Sequence, residues 1–202
     1  MQQRLKRDKD LWAKDPRIAA KYQIDNKLYA GNDLDRGHLV RRLDPTWGPT
    51  AARANDDTFF FTNCSPQHAR FNQSLWAELE DYLLNSADTQ GFRASVFTGP
   101  VFTPEDPPYR GVRLPAAYWK VAAMVREDGS KLSVTGYVVS QSDLLSKLEF
   151  VYGQFKTYQV AVSAIENLSG LDFGSLGEFD PMRAKETSGT RELITASDIV
   201  VT

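Results

Sequence analysis

Cysteine is almost missing from this chain. Cys64 is the sole one in 202 residues, so no internal disulfide can form and the fold must stand on apolar burial. Histidine is nearly as rare, with only His38 and His68. Long apolar runs are lacking too: no window approaches the roughly 18 consecutive apolar residues that a membrane-spanning helix needs. The basic start Met1-Gln2-Gln3-Arg4-Leu5-Lys6-Arg7 has no apolar stretch behind it, so no signal peptide is visible. That leaves the compartment open between the cytoplasm and secretion from a longer precursor. An excess of positive charge is absent as well. Twenty-four basic and 26 acidic residues give a net charge of −2, without the basic balance of most nucleic-acid binders. Any polyanion would have to meet a local basic cleft. Arginines do gather early, at Arg4, Arg7, Arg17, Arg36, Arg41, Arg42 and Arg53, although a solvated face is the plainest account of such a cluster.

What is present suffices for one real core. With 42% hydrophobic and 25% charged residues, the chain predicts a single domain over 1–202, with neither repeats nor a linker. Lys27 to Ala30 forms a short apolar element stopped by Gly31. Leu34 to Leu43 reads as extended, which puts Arg36 and His38 on one face and Gly37 on the other. Thr58 to Thr62, with three phenylalanines, reads as a buried strand leading into Asn63. The clearest helix follows: Phe71, Leu75, Leu79, Tyr82 and Leu83 make one apolar face. Ala94 to Gly99 is a strand, the proline-bearing Thr103 to Pro115 a loop, and Ala117 to Val125 with Leu132 to Ser140 a hairpin. Gln159 to Leu168 is a second helix or a strand-to-helix passage, and Asp198 to Val201 a short edge strand.

The chemistry concentrates between Asp33 and Glu80. Hydrolysis of a phosphodiester needs a deprotonated water, neutralised charge at phosphorus and a stabilised leaving oxygen. His38, whose side-chain type titrates near neutrality, is the candidate base. Magnesium takes hard oxygen ligands and keeps most of its waters, so the amide oxygen of Asn72 qualifies as a ligand. The competing role for Asn72 is a helix N-cap. On a regular helix Glu80 lies about 80° round and about 12 Å further along, which suits holding metal-bound waters or other site residues rather than sharing the inner shell. Arg36 offers the planar fork that matches phosphate oxygens. Asn63 and Gln67 are weaker candidates that position the loop before the helix, and His68 reads as a surface or loop residue.

Three motifs carry a family likeness: Asp35-Arg36-Gly37-His38, then Thr62-Asn63-x-x-Pro66-Gln67, then Asn72-Gln73-x-x-Trp76-x-x-Leu79-Glu80. In this order and spacing the chain resembles the DNA/RNA non-specific endonuclease family, the ββα-metal nucleases of Serratia type and endonuclease G type. Gly99-Pro100, Trp119-Lys120 and Tyr158-Gln159-Val160 extend the likeness more loosely. The resemblance implies an α+β fold, an antiparallel β-sheet core with helices and a ββα-metal (His-Me finger) site. It further implies His38 as general base, Asn72 as direct Mg2+ ligand, Glu80 holding metal waters and Arg36 on the phosphate. Mn2+ or another divalent cation can stand in for Mg2+. The family's second arginine matches Arg7 best, with Arg4 as fallback, and Asn63 joins the substrate-binding set. DNA and RNA are the implied substrates, no membrane is involved, and several members form homodimers. Members usually carry a strand-bearing segment before the point where this chain begins, so a shortened N-terminus is expected. The rival reading is a nuclease-like module that binds nucleic acid or protein without cutting, and magnesium-dependent degradation of plasmid DNA separates the two.

Overall fold

A computed structural model of the chain describes residues 5, 10–69, 79–81, 83, 92–126, 129, 131–141, 156–183 and 191–193. They belong to two compact units, Met1–Ala69 and Arg70–Thr202. The mixture of short helices and antiparallel strands is the α+β class expected from the sequence.

In the first unit, the Asp25 side chain accepts the Lys27 N–H and caps a short helix, α1 (Asn26–Tyr29). Strand β1 (Leu34–His38) follows, then helix α2 (Ala51–Asp57) and strand β2 (Cys64–His68). β1 and β2 pair antiparallel, with Leu34 opposite His68, Gly37 opposite Ser65 and His38 opposite Cys64. The strand period of two therefore sets Arg36 and His38 on one face with Pro66 and Cys64. Gly37 shares the other face with Gln67, and a Cβ on Gly37 would collide with that buried side chain. Only glycine fits beneath Gln67.

Two expectations for this unit need correcting. The extended arm stops at His38 rather than running to Leu43, because Asn63 captures the chain there: its backbone oxygen takes the Leu39 N–H at 2.9 Å and its side-chain Oδ1 the Val40 N–H at 3.0 Å. Arg41 and Asp44 then close a turn. Thr58 to Thr62 is not a strand either. Thr58 ends α2 with its N–H and hydroxyl both on the Asn55 carbonyl, Phe60 makes one isolated bridge to Ala13, and Phe61–Asn63 is a 3-10 turn. Tertiary bonding overrides the β preference of three phenylalanines, and the strand begins only at Cys64. His68, read as a surface or loop residue, is the half-buried last residue of that strand.

The second unit is built on a five-stranded antiparallel sheet. Its strands are β3 (Phe92–Val101), β6 (Ala117–Arg126), β7 (Leu132–Ser140), β8 (Lys156–Val160) and β9 (Arg191–Leu193), adjacent in that order. The expected loop between β3 and β6 contains a small hairpin, β4 (Pro108–Tyr109) with β5 (Val112–Arg113). The hairpin expected after Ala117 is present, with Val125 opposite Leu132. Gln159 to Leu168 proves to be the strand-to-helix passage: β8 ends at Val160 and helix α3 (Val162–Ser169) follows at once. Asp180 starts that helix from outside, its Oδ2 accepting the Val162 N–H at 2.7 Å. One face of the sheet is apolar, with Trp119, Val121, Val134 and Val160 closed over by Val162 and Ile165 of α3. The long helix expected from Phe71 falls mainly outside the described residues, but 79–81 and 83 are helical, with Leu79 and Leu83 buried as their shared face requires. The strand expected at Asp198 to Val201 also lies outside them.

Gly136 of β7 is where the sheet admits α3. A Cβ there would stand 2.8 Å from the Val160 carbonyl oxygen and 2.9 Å from Ile165 Cδ1. Gly136→Ala is expected to cost about 1–3 kcal/mol by overfilling this contact, read as a lower midpoint in denaturant unfolding. An unchanged midpoint would mean that α3 has room to retreat.

Candidate active site

His38 closes strand β1 inside an aromatic enclosure. Its ring lies 4.7 Å from that of Trp12 at a 50° tilt and 5.1 Å from that of Phe59, edge-on at 83°. Trp12 in turn meets Phe59 at 5.3 Å and Phe61 at 5.8 Å. Two backbone bonds hold Trp12 in place: Ala13 N–H to the Phe59 carbonyl at 3.1 Å, and Phe61 N–H to the Ala13 carbonyl at 2.9 Å. The next anchor is Asp15, buried, which accepts from Arg17 Nε at 2.8 Å and Nη2 at 2.7 Å and from the Thr62 hydroxyl at 3.3 Å. Nothing in the spacing between Trp12 and His38 reveals that their rings meet.

Arg36, two residues before His38, is aimed by neutral partners. Its Nε and Nη2 donate to Asn26 Oδ1 at 3.1 and 2.7 Å, and its guanidinium lies 4.9 Å from the centre of the Tyr29 ring. Elsewhere in this unit Arg17 pairs with Asp15, Arg41 with Asp44 and Arg53 with Asp57. Among the described residues, Arg36 has no carboxylate partner. Tyr29 also carries a hydrogen bond between its hydroxyl and Cys64 Sγ at 3.5 Å. Burial pushes the Cys64 thiol up to about 11, against smaller opposing effects of Tyr29 and Arg36. It stays protonated at neutral pH and is no nucleophile.

Asn63 spends both amide hydrogens on the main chain, donating to the carbonyls of Val40 at 2.8 Å and Thr58 at 2.9 Å. These bonds hold the turn after His38 and the end of α2, not the loop before the Phe71 helix that was expected of it. Gln67 is buried against Gly37. In the second unit, Glu80 is buried and its Oε1 accepts from Lys120 Nζ at 3.1 Å. Asn72, Arg7 and Arg4 lie outside the described residues. The donor chemistry suits a hard divalent cation, since Glu80 offers a carboxylate and Asn72 an amide oxygen. Among the described residues no three His, Cys, Asp or Glu side chains gather to hold a metal ion, so a site drawing on Glu80 would rest on few protein oxygens and mostly water.

A family model described as DNA/RNA non-specific endonuclease matches residues 1–178. The protein y4fB of Sinorhizobium fredii, described as uncharacterized, is 46% identical over 156 residues, covering 72% of this chain and 23% of its own length. A protein named Nuclease from Nostoc sp. is 28% identical over 152 residues, with 75% and 54% covered. Mitochondrial endonuclease G of Bos taurus is 28% identical over 171 residues, with 79% and 54% covered. The chain thus spans about half the length of these two named nucleases and less of the first protein. Among solved structures, a crystal structure of the EndoG/EndoGI complex superposes with a TM-score of 0.61 at 24% identity, covering 80% of this chain and 67% of that one. That likeness is one of fold.

The Asp15 anchor makes the seat of Trp12 sensitive to acid. Hydrogen bonds from Arg17 hold the Asp15 carboxyl down at about 2. A depressed folded-state value stabilises the fold above the ordinary carboxylate range, and that contribution is lost as pH falls through the folded value. Unfolding free energy is therefore expected to drop between about pH 4 and pH 2 in the parent chain, with a smaller drop in Asp15→Asn. Parallel pH profiles for the two chains would contradict the anchor.

Proposed function

Because the chain belongs to the DNA/RNA non-specific endonuclease family, we propose that it is a magnesium-dependent endonuclease that hydrolyses phosphodiester bonds of DNA and RNA without reading their sequence. The observation that carries this reading is the span of the family match. Residues 1–178 include Arg7, Arg36, His38, Asn63, Asn72 and Glu80 together. In this reading the chain acts as one nuclease domain.

The imidazole of His38 takes a proton from water while the water oxygen attacks phosphorus, and the bond from phosphorus to the 3′ oxygen breaks. Trp12 and Phe59 restrict the ring to one orientation as it does so. The guanidinium of Arg36, oriented by Asn26 and unpaired with any carboxylate among the described residues, meets the growing negative charge on the phosphoryl oxygens. Arg7 is the second such arginine. Asn72 would hold the divalent cation through its amide oxygen, and Glu80 would order that cation's waters. When bound, the cation supplies positive charge at the scissile phosphate and the leaving oxygen.

Removal of the base gives the first test. His38→Ala is expected to lower plasmid cleavage by about 10²–10⁴-fold, the usual worth of a positioned general base, while the fold stays intact. Activity of the parent chain should fall as pH drops through the histidine range. A flat profile from about pH 5 to 8 across that range, or near-normal turnover of the variant, removes His38 from the mechanism.

The second test separates ligand from cap at Asn72. If the side chain only caps the helix, Asn72→Ala should cost about 0.5–2 kcal/mol of stability, with activity tracking the folded fraction, and Asn72→Asp should be silent. As the magnesium ligand, Asn72→Ala should be folded and nearly inactive. Asn72→Asp should then keep or raise metal affinity yet lose turnover, because the added negative charge partly cancels that of the cation. Full activity in both variants would sink the ligand assignment.

A further inference from the structure

Lys120 stands in the middle of β6 with 2% of its surface exposed, and its Nζ lies 3.1 Å from Oε1 of Glu80, itself 7% exposed. In register beside it are Tyr137 of β7 and, beyond, Gln159 of β8, both fully buried. This row occupies the face of the sheet opposite Trp119, Val121, Val134 and Val160, the apolar face that α3 covers. One side of the sheet is thus an ordinary core. The other carries a buried charge within an otherwise apolar strand.

Stability gives that charge no reason to be there. Taking an ammonium and a carboxylate out of water costs as much as their attraction returns, and apolar residues of similar volume commonly serve as well or better. Nor is Glu80 needed to seat its helical stretch, since Leu79 and Leu83 on either side are buried and supply the apolar contact. What the pair supplies is direction. A carboxylate with one oxygen tied to a rigid strand has its remaining lone pairs aimed.

We propose that Lys120 is a positioning residue for cleavage: its ammonium fixes the Glu80 carboxylate in the orientation that orders the waters of the bound cation. This rests on the reading of Glu80 given above and adds Lys120 to it. On this proposal Lys120 reaches the cation through Glu80, so its removal should change cation binding and kcat and leave the KM for DNA as it was.

The experiment is a double-mutant cycle on the whole chain, with Lys120→Met, Lys120→Arg, Glu80→Gln and the Lys120→Met/Glu80→Gln pair. Two quantities are measured: kcat on plasmid DNA, and the Mg2+ concentration that gives half-maximal thermal stabilisation, which needs no turnover. Lys120→Met is expected to lose about 10–100-fold in kcat and in Mg2+ affinity, as changes behind a metal site do. Lys120→Arg should recover most of both losses. In the paired variant, Lys120→Met should cost nothing beyond Glu80→Gln alone. Parental kcat and Mg2+ affinity in folded Lys120→Met overturn the proposal, and so do losses that multiply in the pair. If Lys120→Met gives no cooperative melt, Lys120→Gln, which keeps a neutral donor, takes its place under the same criteria. A chain that needs His38 yet ignores Lys120 strikes only this inference, whereas one that ignores His38 strikes the catalytic reading itself.

Discussion

The side-chain amide of Asn63 is the constraint on which the first unit depends. One side chain makes three bonds to two places: Oδ1 takes the Val40 N–H, while Nδ2 gives its hydrogens to the carbonyls of Val40 and Thr58. The chain is thereby halted directly after His38 and joined to the corner that precedes β2. With that corner fixed, the register that puts His38 opposite Cys64 has no freedom to slip, and a slip by one residue would turn His38 to the opposite face. Gly37 reinforces the register from the other side, because a side chain there has no space beside Gln67.

Buried charge is used in two different ways. Asp15 spends its carboxylate on Arg17 and Thr62, and the outcome is architectural: the segment before α1 is locked near Phe60, and Trp12 is delivered to the ring of His38. Its partner Arg17 reaches solvent, so the guanidinium charge stays largely hydrated. Lys120 and Glu80 are both removed from water. Such a pair is costly to break and of little net worth to keep, which makes geometry the more economical account of its presence than stability.

How much of this was legible beforehand depends on the range of the interaction. Arg36, Gly37 and His38 were readable because strand periodicity is local, as was the hairpin from Ala117 to Ser140, whose two apolar runs flank a polar turn. The Thr58 to Thr62 run misled because β propensity records a preference for a pleated, half-buried surface. Here Phe59 and Phe61 instead wrap Trp12 from a turn held by hydrogen bonds to distant residues. The placing of Trp12 against His38 and of Lys120 against Glu80 spans 26 and 40 positions respectively, and no periodicity links residues that far apart. Lys120 did leave a trace, as the one charge inside the apolar run from Ala117 to Val125.

A chain with net charge −2 can still act on a polyanion if its positive charges are unequal in what they face. Most described arginines of the first unit are spent on carboxylates two to four residues away: Arg17 on Asp15, Arg41 on Asp44, Arg53 on Asp57. Arg36 is held as firmly, but by an amide oxygen and an aromatic face, neither of which cancels charge. Orientation without neutralisation is what a phosphate-binding arginine requires, because a guanidinium already paired would have to release its carboxylate before it could grip anything else. On the proposed reading, in which Arg36 meets the phosphate, Asn26 and Tyr29 of α1 act on the site through Arg36, and the short helix that carries them, capped by Asp25, belongs to that function.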